Sequence, residues 1–300
     1  MYMAGVMESG YSENLTVKQY KYWGIKMKKN GLITVLVVIT IFCVIGGTFY
    51  HMSGFWNWWG RNDFGAMQNG TSKSMDLNEF TSIDIDAYVM DLTIREGDNY
   101  FVEYQYTQGL EPVCKIDKGT LKITQSKHKR TFFWGFNSNN CKVQITVPSK
   151  TELQDLRLQI DVGNINIADI ISEKCNMETD TGDCKVTECS FKRSTIDTDT
   201  GDVSVDNSEL GITQVSSDVG DIELENCTFR DLEADSDVGN IRIDAAQDLS
   251  DYRMELKTDV GDVHINDQKE KRNYYEKGNN QGNITAQTDV GDIILNYREN

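Results

Sequence analysis

The chain has 300 residues and a formal net charge of -17, with 47 Asp and Glu against 30 Lys and Arg. Residues 1–60 run the other way: five Lys against two acids leave +3 there, so the other 240 residues hold -20. A domain that acidic repels phosphate backbones, which excludes nucleic acid as a partner.

Residues 1–30 form a Lys-rich tail containing Lys18, Lys21, Lys26, Lys28 and Lys29. Residues 31–50 follow, GLITVLVVITIFCVIGGTFY, without a charge. About 20 such residues span a bilayer core, so a single transmembrane α-helix is expected here. Phe55, Trp56, Trp58 and Trp59 suit the membrane–water interface, and the Lys-rich flank places the N-terminus in the cytoplasm. The localisation that follows is a bacterial cell membrane protein with an extracytoplasmic C-terminal domain. A cleaved signal peptide is the competing reading, with Gly46-Gly47 as a weak processing site, and Met27 is an alternative start.

Residues 51–74 read as a stalk. In residues 75–150, short alternating runs predict strands: Ile83-Asp84-Ile85, Leu92-Thr93-Ile94, Phe101–Tyr106, Leu121-Lys122-Ile123 and Val143–Val147. This stretch is expected to form an irregular β region that begins and caps the stack described next.

Residues 151–300 carry an internal repeat. Asp-[Val/Thr]-Gly-[Asp/Asn] followed by apolar-x-apolar begins at Asp161, Asp180, Asp199, Asp218, Asp237, Asp259 and Asp289. The first five copies are 19 residues apart, and the last two intervals are 22 and 30. The apolar pairs, from Ile165/Ile167 and Cys184/Val186 to Ile293/Leu295, mark half-buried strands. Met177, Ile196, Val215, Ala234 and Leu256, ahead of the Asp, are further inward candidates. Gly163, Gly182, Gly201, Gly220, Gly239, Gly261 and Gly291 are expected to supply the positive φ of a tight turn. The leading Asp is expected to hold that turn by accepting an N–H two residues on.

One such unit cannot bury its apolar side alone, so the units must stack. The expected fold is all-β, a β-solenoid (β-helix) with 19-residue rungs, about 34 Å long for seven rungs at ~4.8 Å. The longer intervals then read as bulges. The larger is 266–282, where Tyr274 and Tyr275 either make a contact site or cover the side.

Of seven Cys, Cys43 lies in the apolar run. Cys175, Cys184, Cys189 and Cys227 lack zinc spacing and read as small buried side chains. Cys189 and Cys227 share a repeat position two rungs apart, about 10 Å, beyond disulfide reach. A Cys114–Cys141 bridge stays open.

Over roughly residues 76–297 these features resemble the bacterial "putative adhesin" family of membrane-anchored β-strand-repeat proteins, related to LiaG-type envelope proteins. The residues concerned are Ile83-Asp84-Ile85, Val147-Pro148 and the serial Gly-Asp-[Ile/Val]-x-[Ile/Val] turns. The resemblance implies a right-handed solenoid at the cell surface and carries over no catalytic residues.

Two features invite a function. Stacking would align Asp180, Asp199 and Asp218, and likewise Asp183, Asp202 and Asp221. Carboxylates in such columns repel, and an edge binding Ca2+ would relieve them; the competing reading is turn-forming Asp in water, with no cofactor. The second feature is a basic-aromatic patch, Lys127, Lys129 and Arg130 followed by Phe132, Phe133 and Trp134. It suits anionic headgroups, a wall polymer or a membrane protein partner; the bland reading is a cap on the core. His51, His128 and His264 have no partner at catalytic spacing, and a catalytic pair would not repeat seven times. The sequence therefore reads as a non-enzymatic surface module, an adhesin or envelope scaffold. The alternatives are an accessory of envelope-stress sensing or a carbohydrate-active enzyme on a β-helix.

Overall fold

Alternating apolar and polar residues leave one side of each strand needing cover, and in this molecule the next repeat supplies it. The computed structural model describes residues 70–107, 109–125, 141–279 and 281–298, and among these there is no helix. The fold is all-β and β-solenoid-like. The tail, the apolar segment, the stalk up to residue 69 and the basic-aromatic patch lie outside the described residues.

Each 19-residue repeat contributes one long strand and one short one, joined at the Gly turn. Ile171–Thr181 leads through Gly182 to Cys184–Thr187; Ser190–Thr200 leads through Gly201 to Val203–Asp206. Long strands pair in parallel with long strands and short with short, in register through Met177↔Ile196↔Val215↔Ala234 and Val186↔Val205↔Leu224↔Ile243; the register shifts by one residue only between Glu225 and Cys227, where Cys227 meets Ala245. These residues are buried, and they line the core between the two sheets.

At the other end of each short strand the chain turns through a left-handed residue: Asp169, Glu188, Asn207 and Asn226, φ 50–59°. The residue after it closes the corner from inside. Ser208 donates its hydroxyl to the Asp206 carbonyl at 2.8 Å, and the Cys189 and Cys227 thiols point at Thr187 and Glu225 carbonyls, 3.2 and 3.3 Å. That is why Cys recurs at this repeat position: it is small and buried, and it carries a weak donor.

Residues 82–97 form one further rung of the stack, and the strands Thr120–Gln125 and Cys141–Pro148 form another. Ser82–Val89 pairs with Asp155–Val162 on one side and Thr120–Gln125 on the other, while Asp91–Gly97 pairs with Ile165–Ala168 and Cys141–Pro148. Met90 occupies the place of the turn glycine in its rung.

Rung order in space departs from order in the chain. The copy at Asp289 does not follow the copy at Asp259; it is inserted beneath it. Ile222–Val238 pairs with Asn283–Val290, and Asn283–Val290 pairs in turn with Arg253–Val260. The short strands agree: Ile241↔Ile293 and Val263↔Ile293. Numbered along the stack, rung 1 is the strand pair 120–125 and 141–148, rung 2 is 82–97, rungs 3–7 carry the turns at Asp161 to Asp237, rung 8 the turn at Asp289 and rung 9 the turn at Asp259.

The two long intervals are therefore not bulges on the side. They carry the chain past the end and back. Gln268–Glu270 and Asn273–Glu276 lie antiparallel on Val263–Ile265 and Arg253–Val260 and close that end. Tyr274 packs on the core and Tyr275 stays exposed with Arg253 over its ring, 5.5 Å from the centroid. The opposite end is closed the same way: Pro112–Asp117 lies on Thr120–Gln125, Phe101–Tyr106 on Cys141–Pro148, and Thr71–Asp76 on Phe101–Tyr106. Both ends thus meet solvent through antiparallel strands rather than open parallel ladders.

Candidate surface site

The turn edge is built from four residues per rung, so stacking turns each repeat position into a column. The glycine column is set by contact. A Cβ on Gly182, Gly201, Gly220, Gly239, Gly291 or Gly261 would stand 1.9–2.1 Å from the carbonyl oxygen of the glycine one rung away. The expected positive φ is found at Gly163, Gly182, Gly201, Gly220 and Gly261, 139–159°, but the close approach is common to all seven.

The hydroxyl before each leading Asp locks that column. Thr179, Thr198, Ser217, Ser236, Thr288 and Thr258 are buried and donate to the carbonyls of Gly163, Gly182, Gly201, Gly220, Gly239 and Gly291 at 2.8–3.3 Å. A Thr or Ser precedes the leading Asp in six of the seven copies, which is the signal for this clamp in the sequence.

The two acidic positions exchange the roles expected of them. The fourth residue of the motif makes the bonds: Asn164, Asp183, Asp202, Asp221 and Asn240 accept the backbone N–H of the equivalent residue in the next rung at 2.7–3.0 Å. In five of the seven copies the leading Asp holds no turn. Among the described residues the side chains of Asp180, Asp199, Asp218, Asp237 and Asp289 have neither hydrogen-bond nor ion-pair partner, and they stand exposed. Their mutual repulsion is visible at Asp199. Lost hydration first, then Asp180 and Asp218, raise its carboxyl above the ordinary range. Asp235 is raised likewise, by desolvation and by Asp237 and Asp289.

Of the residues considered for Ca2+, stacking thus brings Asp180, Asp199 and Asp218 into one column and Asp183, Asp202 and Asp221 into another. Among the described residues no group of three or more His, Cys, Asp or Glu is arranged to hold a metal ion. Lys127, Lys129, Arg130, Phe132, Phe133 and Trp134 lie outside the described residues, between Thr120–Gln125 and Cys141–Pro148 in the sequence.

Comparison with protein families gives one result: the family described as Toastrack DUF4097 matches residues 80–291. The chain belongs to the Toastrack family. Comparison with curated proteins returns no match. Among solved structures, the Toastrack chain is similar to a "putative cell adhesion protein" from Clostridium sporogenes, 14% identical, TM-score 0.39, covering 76% of this chain and 100% of that one. It is also similar to a "putative adhesin" from Bacteroides fragilis, 16% identical, TM-score 0.43, covering 77% and 98%. A third is a "putative lipid binding protein" from Parabacteroides distasonis, 13% identical, TM-score 0.36, covering 76% and 94%.

Within this Toastrack domain Cys114, Cys141, Cys175, Cys184, Cys189 and Cys227 are free thiols. Burial pushes Cys141, Cys184 and Cys189 up to about 12. Such thiols are poor nucleophiles and poor metal ligands at neutral pH. His264, the one histidine among the described residues, stands on the outward side of Val263–Ile265 beside Ile294.

Proposed function

We propose that this protein is a non-enzymatic cell-surface interaction module, an adhesin or envelope scaffold, whose solenoid winds right-handed and is carried by a transmembrane helix at residues 31–50. The tail at 1–30 faces the cytoplasm, and the stalk that follows the helix leads to the domain, whose first strand is Thr71–Asp76 rather than the last part of the expected stalk at 51–74. The reading rests on one observation: apart from the exposed leading Asp, the repeated polar residues of the turn are consumed by the stack. The fourth-position Asp/Asn bonds rung to rung, the Thr/Ser column holds the glycine carbonyls, and the cysteines close corners. What remains is surface, periodic and exposed, which suits an extended partner better than a small substrate.

The partner contact is proposed for the residues that interrupt the repeat, Lys127 to Trp134, with a cell-wall polymer as ligand. The detergent-solubilised full chain is expected to sediment with purified cell wall. Replacing Phe132, Phe133 and Trp134 by Ser should release it without changing its far-ultraviolet circular dichroism. A chain that stays in the supernatant, yet crosslinks in the membrane to a second protein, would instead support envelope sensing.

A further inference from the structure

Ten large apolar side chains are exposed among the described residues, and five of them occupy one repeat position: Val162, Val219, Val238, Val260 and Val290. Scattered surface valines need no explanation, but a column does. Val219↔Val238, Val238↔Val290 and Val290↔Val260 are direct neighbours in adjacent rungs, and Thr181 and Thr200 continue the column below them. Four neighbouring valines, 42–59% exposed, therefore form an unbroken apolar strip along the turn edge.

The strip runs between two acidic columns. The leading carboxylates Asp180, Asp199, Asp218, Asp237 and Asp289 flank it on one side in the chain, and Asp183, Asp202, Asp221, Asn240 and Asp292 on the other. Rung 9 shows what such an edge accepts. There the chain places its own lysines on both flanks of Val260: Lys257 Nζ lies 3.5 Å from Asp259, and Lys269 Nζ lies 2.6 Å from Asp262. Lys269 arrives on the antiparallel strand Gln268–Glu270, with its ammonium on the acid. In rungs 4–8 the leading carboxylates have no such cation among the described residues.

We propose that the turn edge of rungs 6–8 is a docking strip for an extended lysine-rich polypeptide segment, whose aliphatic stems lie on Val219, Val238 and Val290 while its ammonium groups reach the flanking Asp columns. Lysine suits both requirements, because its four-carbon stem covers apolar surface while its charge reaches a carboxylate. The three valine rungs span two intervals of ~4.8 Å, about 10 Å, the length of roughly three extended residues. The strip includes none of residues 127–136, and the proposal does not depend on what that segment binds.

The test is fluorescence anisotropy of labelled octalysine with the detergent-solubilised full chain at low salt. Saturable binding is expected. The triple variant Val219→Ser, Val238→Ser, Val290→Ser should weaken it about tenfold, as should Asp218→Asn, Asp237→Asn, Asp289→Asn, with thermal melting of both retained. If the Ser triple does not fold, Val→Thr at the same positions replaces it, since Thr181 and Thr200 already occupy the column. No binding overturns the proposal. So does binding that falls with the Asn triple but ignores the valine changes, which would be unspecific attraction to an acidic surface.

Discussion

Gly220→Ala tests the packing of the turn edge in isolation. The added Cβ would stand 1.9 Å from the Gly201 carbonyl oxygen and 2.6 Å from its carbon, whereas ordinary contact begins near 3.4 Å. The shortfall is about 1.5 Å, and backbone lies on both sides of it, so rungs 5 and 6 must part. Four hydrogen bonds cross that joint within one turn: Gly201 N–H to Val219 O at 3.0 Å, Val203 N–H to Asp221 O at 2.9 Å, Ser217 hydroxyl to Gly201 O at 3.0 Å, and Asp221 N–H to Asp202 Oδ1 at 2.9 Å. At about 1 kcal/mol net for each bond lost, and about 1 kcal/mol for an L side chain at φ +158°, the cost is about 3–5 kcal/mol.

Gly109→Ala is the control. Its φ is +93° and nothing lies within 4 Å of the added Cβ, so only the backbone cost of about 1 kcal/mol remains. Equilibrium urea denaturation followed by circular dichroism gives both values. Amide exchange should quicken around Gly201 and Val219 and stay slow in rungs 2 and 3, because each rung contacts only its neighbours. Equal losses of about 1 kcal/mol in the two variants would show that glycine serves the turn and not the stack.

Thr198→Val keeps the shape but leaves the half-buried Gly182 carbonyl without its hydroxyl, and should lower stability by about 1 kcal/mol in the same assay. Asp199→Asn should raise the melting temperature at pH 7 and leave it unchanged at pH 3. The raised carboxyl binds its proton more tightly in the folded state, so its penalty grows as pH rises from the ordinary Asp value through the raised one; equal melting at both pH values would contradict this. At pH 8 a maleimide should leave Cys175, Cys184, Cys189 and Cys227 unmodified until the protein is unfolded, and rapid labelling of the native chain would contradict their burial.

The period of 19 and the strand alternation were legible because stacking forces the same side chain inward at the same place in every copy. Ile165, Ile167, Met177 and Ile196 are buried as their pattern predicts. Rung order was not legible. Thr258–Asp262 and Thr288–Asp292 both read Thr-Asp-Val-Gly-Asp, so either fits on the Asp237 rung, and periodicity says which copies are equivalent without saying which are adjacent. The division of labour between the two acids was hidden for a related reason: a local turn bond and a bond to the next rung need the same residue type. The Thr/Ser clamp and the exposed valine column were visible as letters. Their roles emerge only when the copies are superposed in space.

The insertion of the C-terminal rung can be tested directly with introduced cysteine pairs at outward positions. Arg242 and Ile294 are register partners, as are His264 and Ile294, whereas Arg242 and His264 are two rungs apart. Neighbouring rungs at ~4.8 Å fall within disulfide reach and rungs ~10 Å apart do not. Oxidation is expected to close Arg242→Cys/Ile294→Cys and His264→Cys/Ile294→Cys and to leave Arg242→Cys/His264→Cys open. A bridge between positions 242 and 264, with none between 242 and 294, would restore the rungs to chain order and contradict the fold described here.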